Sequence, residues 1–194
     1  MDLDHDAMMR LAIAQGELAR GATGDNPWVG CVIVDARGEV IARGHTQGPG
    51  EDHAEIAAMA DARARGLAIA LQGATMYSTL EPCSFHGRTP ACSRAIVEHG
   101  IARLVFGMRD PHPRVDGAGA GILRSGGVET LEGVCEGAVR RQLGAWVWRY
   151  HPHEPLRRAR SLQAGHTPQE LAAVLADLYA VAPEQAAALV SSLD

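Results

Sequence analysis

Trp28-Val29-Gly30-Cys31-Val32-Ile33-Val34-Asp35 reads as a buried strand, β-branched and almost continuously apolar, as a strand is when both faces of its sheet are covered. Asp35-Ala36-Arg37-Gly38 then turns the chain into a second strand over about 39–44. Upstream, a helix over about 5–20 starts on an Asp, carries Leu11, Ala14 and Leu18 on one face and stops at Gly21. Downstream follow a helix over about 53–65 ended by Gly66, a strand over 74–80, a helix over 90–99 ended by Gly100 and a strand over 102–107. Strand-length apolar segments alternating with Ala- and Leu-rich helical ones predict an α/β sandwich around a central sheet.

The chain has 194 residues and a mass of 20.5 kDa, enough for one domain with a sizeable core and a short appendage. We expect that division at residues 1–150 and 151–194. Eighteen Lys+Arg against 23 Asp+Glu give a net charge of -5, which offers no general attraction to a phosphate backbone or an anionic membrane surface, so neither nucleic acid nor membrane is an expected partner. No uninterrupted apolar stretch reaches the length of a signal or a membrane span. The expectation is a cytoplasmic protein with reduced thiols. Cys31, inside a strand, and Cys135, in a helical stretch, read as structural, which leaves Cys83 and Cys92 to bind metal.

The chemistry concentrates in His53-Ala54-Glu55, then Pro82-Cys83 and, after eight intervening residues, Cys92. These supply three zinc ligands and one unligated acid. Three protein ligands leave a position open, as in catalytic rather than structural zinc sites. H-x-E with a later P-C-x-x-C marks zinc-dependent nucleobase deaminases, and this chain departs from that pattern in the wider separation of its cysteines. His53 and Glu55 would diverge by about 200° in mid-helix and can converge only beside a helix N-terminus. Thr89-Pro90 is a good cap and first position for the helix that would hold Cys92 in its opening turn. Two helix N-termini aimed at one metal favour thiolates. Zinc lowers the pKa of its water to about 7, and Glu55 is left to move protons to a ring nitrogen and a departing amine. Singly, a helix-start His, a first-turn Glu and two small buried cysteines are ordinary. Together at strand-to-helix junctions they predict a catalytic site.

Four segments carry a family resemblance: Asp25-Asn26-Pro27-Trp28-Val29-Gly30-Cys31-Val32-Ile33-Val34, Gly50-Glu51-Asp52-His53-Ala54-Glu55, Thr79-Leu80-Glu81-Pro82-Cys83-Ser84-Phe85-His86-Gly87-Arg88-Thr89-Pro90-Ala91-Cys92, and Met108-Arg109-Asp110-Pro111-His112-Pro113. Through them residues of about 4–150 resemble the deaminase half of the bifunctional riboflavin-biosynthesis deaminase/reductases, within the cytidine-deaminase-like superfamily. The eight-residue spacer with Gly-Arg-Thr-Pro is the most specific part. The resemblance implies a three-layer α/β/α sandwich with a mixed, about five-stranded sheet, zinc as cofactor, and deamination of a 2,5-diamino-6-ribosylamino-pyrimidinone 5′-phosphate. It also implies His53, Cys83 and Cys92 as zinc ligands and Glu55 as proton shuttle. Asn26, Arg88 and Asp110 match positions that face the substrate in that family, where amide, guanidinium and carboxylate suit a polar pyrimidine. The family usually has His at Phe85, Asn at His112, Arg at Ala118 and often His at Thr46; His86 and His112 are candidates to replace the lost polar contacts.

The family's reductase domain would begin near residue 150, where this chain continues through His151-Pro152-His153-Glu154-Pro155 and Arg157-Arg158-Ala159-Arg160 without a glycine-rich cofactor loop. Reduction is therefore expected of a separate protein or lies outside the pathway. Thr167-Pro168-Gln169-Glu170 is a capping box, followed by Leu171, Val174, Leu175 and Leu178 at helical spacing, and a second helix over 183–193 completes a helical hairpin tail that should pack on the body or on a partner chain. Trp146 and Trp148 are candidates to cover that junction or a subunit contact, and a homodimer is expected. Other readings are a deaminase of a different pyrimidine or purine base or nucleoside, a nucleic-acid deaminase supported only by the Arg157–Arg160 cluster, and an inactive zinc scaffold, which the retained Glu55 disfavours.

Overall fold

The computed structural model describes residues 3–85 and 91–193 and divides into two compact units, Met1–Val139 and Arg140–Asp194. The expected division at 150 falls at the end of α5 (Glu136–Tyr150), whereas compactness divides the chain inside that helix.

The first unit holds five strands, β1 (Gly30–Val34), β2 (Val40–His45), β3 (Thr75–Leu80), β4 (Arg103–Met108) and β5 (Glu129–Glu132), in the order β2-β1-β3-β4-β5. β1 pairs antiparallel with both neighbours, and β3, β4 and β5 run parallel, so the sheet is mixed. Every residue of β1 is buried. The β1–β2 turn forms as expected: the Asp35 carboxylate accepts from the backbone N–H of Arg37 and Glu39 at 2.9 Å, and Gly38 takes a positive φ of 89°.

Two glycines fix the layers. A Cβ on Gly30 would lie 1.9 Å from the Ala12 carbonyl oxygen in α1 (His5–Glu17), and one on Gly44 would lie 2.4 Å from the Ala58 amide nitrogen in α2 (Ala54–Ala64). Gly44 pairs with Cys31, next to Gly30 along β1, so the two contacts lie on opposite faces of the pleat. α2 covers one face together with α3 (Cys92–Glu98) and α4 (Ala118–Ser125), while α1 covers the other.

The close approach at Gly30 also corrects the reading of α1. Asp4 caps this helix through its side chain as expected, yet the buried face is Met9, Ala12 and Gly16, while Ala14 is exposed and Leu18, past the helix end, is 65% exposed. Where helix backbone presses on strand backbone, small residues face inward, and a hydrophobicity pattern that favours Leu points to the wrong side. β5, with sequence Glu-Thr-Leu-Glu, and helices α4 to α6 (His153–Leu162) were not anticipated individually.

In the second unit, α7 (Pro168–Tyr179) and α8 (Pro183–Ser191) form the expected hairpin, and the Thr167–Glu170 capping box is present. A Cβ on Gly144 of α5 would lie 1.7 Å from the Tyr179 carbonyl oxygen, so α7 ends directly on α5. Arg140 and Glu154 make a 2.7 Å ion pair, each side chain 6% exposed, with the Tyr179 hydroxyl on both partners. Trp146 packs at a tilt against His151, and Trp148 packs edge-on against Tyr179 of the same unit.

Candidate active site

Among the described residues, the candidates Asn26, His53, Cys83 and Asp110 gather at one end of the sheet. Gly30 pairs with His45 and Leu80 with Met108, so β1 starts where β2, β3 and β4 finish. Asn26 precedes β1, His53 follows β2, Cys83 follows β3 and Asp110 follows β4. This is the edge at which open α/β sheets bind ligands.

His53 is the N-cap of α2, with extended backbone (φ -71°, ψ 163°), and Cys92 is the first residue of α3. The Nδ1 of His53 lies 3.7 Å from Cys83 Sγ and 3.4 Å from Cys92 Sγ, and the three ligand atoms are all within 4.8 Å of one another. Around a tetrahedral zinc, bond lengths of about 2.3 Å to sulfur and about 2.0 Å to nitrogen place S and N about 3.6 Å apart. The donor set fits the metal. The Cys92 backbone N–H donates to Cys83 Sγ at 3.3 Å. A hydrogen bond from the Cys92 thiol pulls the Cys83 thiol down to about 4, against the effect of burial, and His53 adds to the pull. The same shared bond, with burial, pushes the Cys92 thiol well up, and the bond to Cys83 raises His53. Metal uptake must release the protons that these three donors still share.

Glu55 occupies the second position of α2 and is 4% exposed. Burial pushes its carboxyl up, and the neighbouring His53 pulls it part of the way back. A buried acid that holds its proton more readily than a surface one, beside three metal donors, suits proton transfer near neutral pH.

Asp110 is half-buried and accepts from the His112 backbone N–H at 2.8 Å. Burial pushes its carboxyl up to about 7, with Glu81, Cys83 and Asp116 adding negative charge. This raised value makes a stability prediction. Between about 4, the unfolded value, and 7 the folded chain keeps a proton that the unfolded chain releases, so this group's contribution to stability falls as pH rises through that window. Asp110→Asn should therefore melt at a higher temperature than the native chain at pH 8 and show no such gain at pH 5. Equal differences at both pH values would contradict the assignment.

Asn26 is half-buried; its backbone is held by Thr23, whose hydroxyl donates to the Asn26 carbonyl at 2.7 Å, and its side-chain amide has no partner among the described residues. Phe85 and His112 face each other with ring centroids 5.4 Å apart, and the Arg114 guanidinium lies 4.3 Å from the Phe85 ring centre. The Arg114 backbone N–H donates to His112 Nδ1, which assigns that ring's proton to Nε2. The two departures from the family pattern are thus one paired feature. Thr46 is spent on the fold: its hydroxyl accepts from the Val29 backbone N–H at 3.1 Å. Ala118 is the exposed first residue of α4. Arg88 and His86, and the Thr89-Pro90 cap, lie outside the described residues.

One anchor escaped the sequence reading. Glu81, 2% exposed, accepts from the backbone N–H of Gly117 and Ala120 at 3.0 Å each, and its own N–H donates to Met108. Its carboxylate therefore ties the N-terminus of α4, and with it the loop after Asp110, to the segment that carries Cys83. Glu81→Ala leaves those donors without an acceptor, at a cost of about 2 kcal/mol or more, which should lower the melting midpoint by ~5 °C. A variant melting like the native chain would refute the anchor.

The family model of the cytidine and deoxycytidylate deaminase zinc-binding region matches residues 3–108. The riboflavin biosynthesis protein RibD of Actinobacillus pleuropneumoniae is 47% identical over 133 residues, covering 69% of this chain and 33% of the relative. The RibD of Synechocystis is 41% identical over 147 residues, covering 76% and 38%. This chain thus spans about a third of the length of these curated relatives. Among solved structures, a diaminohydroxyphosphoribosylaminopyrimidine deaminase/5-amino-6-(5-phosphoribosylamino)uracil reductase from Thermotoga maritima is 37% identical with a TM-score of 0.71, over 77% of this chain and 42% of that one.

Proposed function

The chain belongs to the family of the cytidine and deoxycytidylate deaminase zinc-binding region, and from that premise we propose that it is a zinc-dependent hydrolytic deaminase acting on an aminopyrimidine, with a diaminopyrimidine ribosylamino phosphate of riboflavin-type biosynthesis as substrate. The observation that carries this reading is the fully buried Glu55 beside the His53, Cys83 and Cys92 donor set. The relatives that the chain matches support the substrate class. We assign the chemistry to residues 1–150 and regard the later helices as a tail.

His53, Cys83 and Cys92 would hold the zinc, whose chemistry is to make a water acidic enough to serve as nucleophile at neutral pH. Glu55 would take one proton from that water as the oxygen adds to the amino-bearing ring carbon and deliver it to the ring nitrogen, then take the second from the new hydroxyl and deliver it to the departing amine. The C–N bond breaks, ammonia leaves, and a carbonyl replaces the amine. Asp110 and Asn26, at the same sheet end, offer a carboxylate and a free amide to the edges of a pyrimidine.

The Phe85 ring, packed against His112, favours a second outcome, a base or nucleoside without phosphate, because it puts apolar ring surface where the family usually has an imidazole. Ammonia release across the riboflavin precursor, its dephosphorylated form, cytidine-type nucleosides and guanine separates the two. Turnover of the phosphorylated precursor above the others supports the first reading, and turnover of unphosphorylated compounds alone replaces it with the second. Among the described residues, no helix is long and apolar enough to cross a membrane.

A further inference from the structure

We infer that Ser78 is a positioning residue for Glu55: its hydroxyl holds one carboxylate oxygen so that the other is presented to the reacting atoms. The inference rests on the reading of Glu55 as proton shuttle. Ser78 lies in β3, in the run Thr75-Met76-Tyr77-Ser78-Thr79-Leu80, and is 0% exposed. A hydroxyl within a buried strand is unfavourable unless hydrogen-bonded, and the partner of this one is Oε1 of Glu55 at 3.4 Å. The register explains why it reaches. Ser78 pairs with Cys31 of β1, and Cys31 with Gly44 of β2, so all three face α2. Glu55 points down from the first turn of α2 onto this row. Cys31 feels the same carboxylate, since burial and then the Glu55 charge push its thiol up.

Ser78 and Cys31 thus form the floor beneath the carboxylate, and of the two the hydroxyl is the stronger donor. The last torsion of a glutamate is broad and roughly two-fold, so a carboxylate without such a donor samples many rotations. A distance of 3.4 Å is long against the usual O–H···O separation of about 2.7–2.8 Å; catalytic hydrogen bonds in ligand-free sites are often long and tighten once substrate is bound. The sequence signal was weak, since Ser78 stands beside Thr79 in a strand that opens on Thr75.

Ser78→Ala should lower kcat about tenfold with KM within about twofold, equivalent to ~1.4 kcal/mol of transition-state stabilisation, while zinc content and melting midpoint stay at the native values. Ser78→Cys, with a weaker donor of similar shape, should fall between. In a Glu55→Gln background the same Ser78→Ala change should alter the residual rate by less than about twofold, because the two residues act as a unit. An equal loss with and without Glu55, a change in KM alone, or a native kcat overturns the inference. Infrared spectroscopy supplies a readout independent of turnover: the carboxylate stretch identified by its absence in Glu55→Gln should shift in Ser78→Ala, and an unshifted band also overturns it. If the native, zinc-loaded chain deaminates no aminopyrimidine, the reading of Glu55 fails, and the band still decides whether the contact exists.

Discussion

Glu55→Gln should reduce ammonia release by about 10²–10⁴-fold, the range attributed to a single general acid/base, and leave one zinc per chain. The substitution keeps the shape of the side chain and an oxygen for the Ser78 hydroxyl, and removes only the capacity to carry a proton. It does not touch the donors, because His53 is the N-cap of α2 and binds from outside the helix while Glu55 lies within its first turn. Stability should be unchanged or higher, since burial already disfavours the ionised carboxylate that Gln replaces. The combination of native metal content, a native or raised melting midpoint and lost turnover is specific to a proton carrier. A variant that loses zinc would make Glu55 a structural or ligating residue instead, and one that retains turnover would assign the proton transfer elsewhere.

Cys92→Ser should lose both zinc and activity. Cys92 is fully buried at the start of α3, and its backbone N–H and side chain both engage Cys83, so it holds the second thiolate as well as supplying the third ligand. With His53 and Cys83 alone, two ligands remain of the three that a catalytic zinc site uses. Bound metal stabilises the folded state by mass action, about 2.7 kcal/mol at a hundredfold excess over Kd. The native chain stripped with a chelator should therefore melt several degrees lower, and zinc should restore both its midpoint and its turnover. The Cys92→Ser variant should resemble the stripped chain and respond to added zinc in neither. Zinc uptake should also weaken toward acid pH, because the Cys92 thiol, held well above its ordinary value, and the raised His53 must both give up protons. Unaltered zinc content in the variant would remove Cys92 from the ligand set.

The metal donors were legible in the sequence because their residue types are rare and their strand-to-helix placement is a matter of local pattern. β1 and β4 were legible as apolar runs, and β2 and β3 from the turn glycines ahead of them, Gly38 and Gly73. What stayed hidden depended on approach distances. The inward face of α1 is set by Gly30 meeting the helix backbone, which no residue within the helix announces. β5 is a half-exposed edge strand whose Glu129 and Glu132 pair with Arg103 and Arg109, so its composition resembles a loop. Glu81 was visible as part of a motif, but its role in holding α4 depends on Gly119 packing against the Pro82 carbonyl, a contact 38 positions and a whole crossover away from Glu81 in sequence. Ser78 was overlooked because a small residue in a buried strand invites a packing explanation first.

The central claim, hydrolytic deamination of an aminopyrimidine through Glu55 and the His53–Cys83–Cys92 centre, is tested most directly by incubating the zinc-loaded chain with the diaminopyrimidine ribosylamino phosphate in isotopically labelled water. The predicted result is ammonia and product in equal amounts, with one labelled oxygen in the product's new carbonyl and no turnover after the metal is stripped. Folded, zinc-loaded protein that releases no ammonia from this compound or from any other aminopyrimidine would contradict the account.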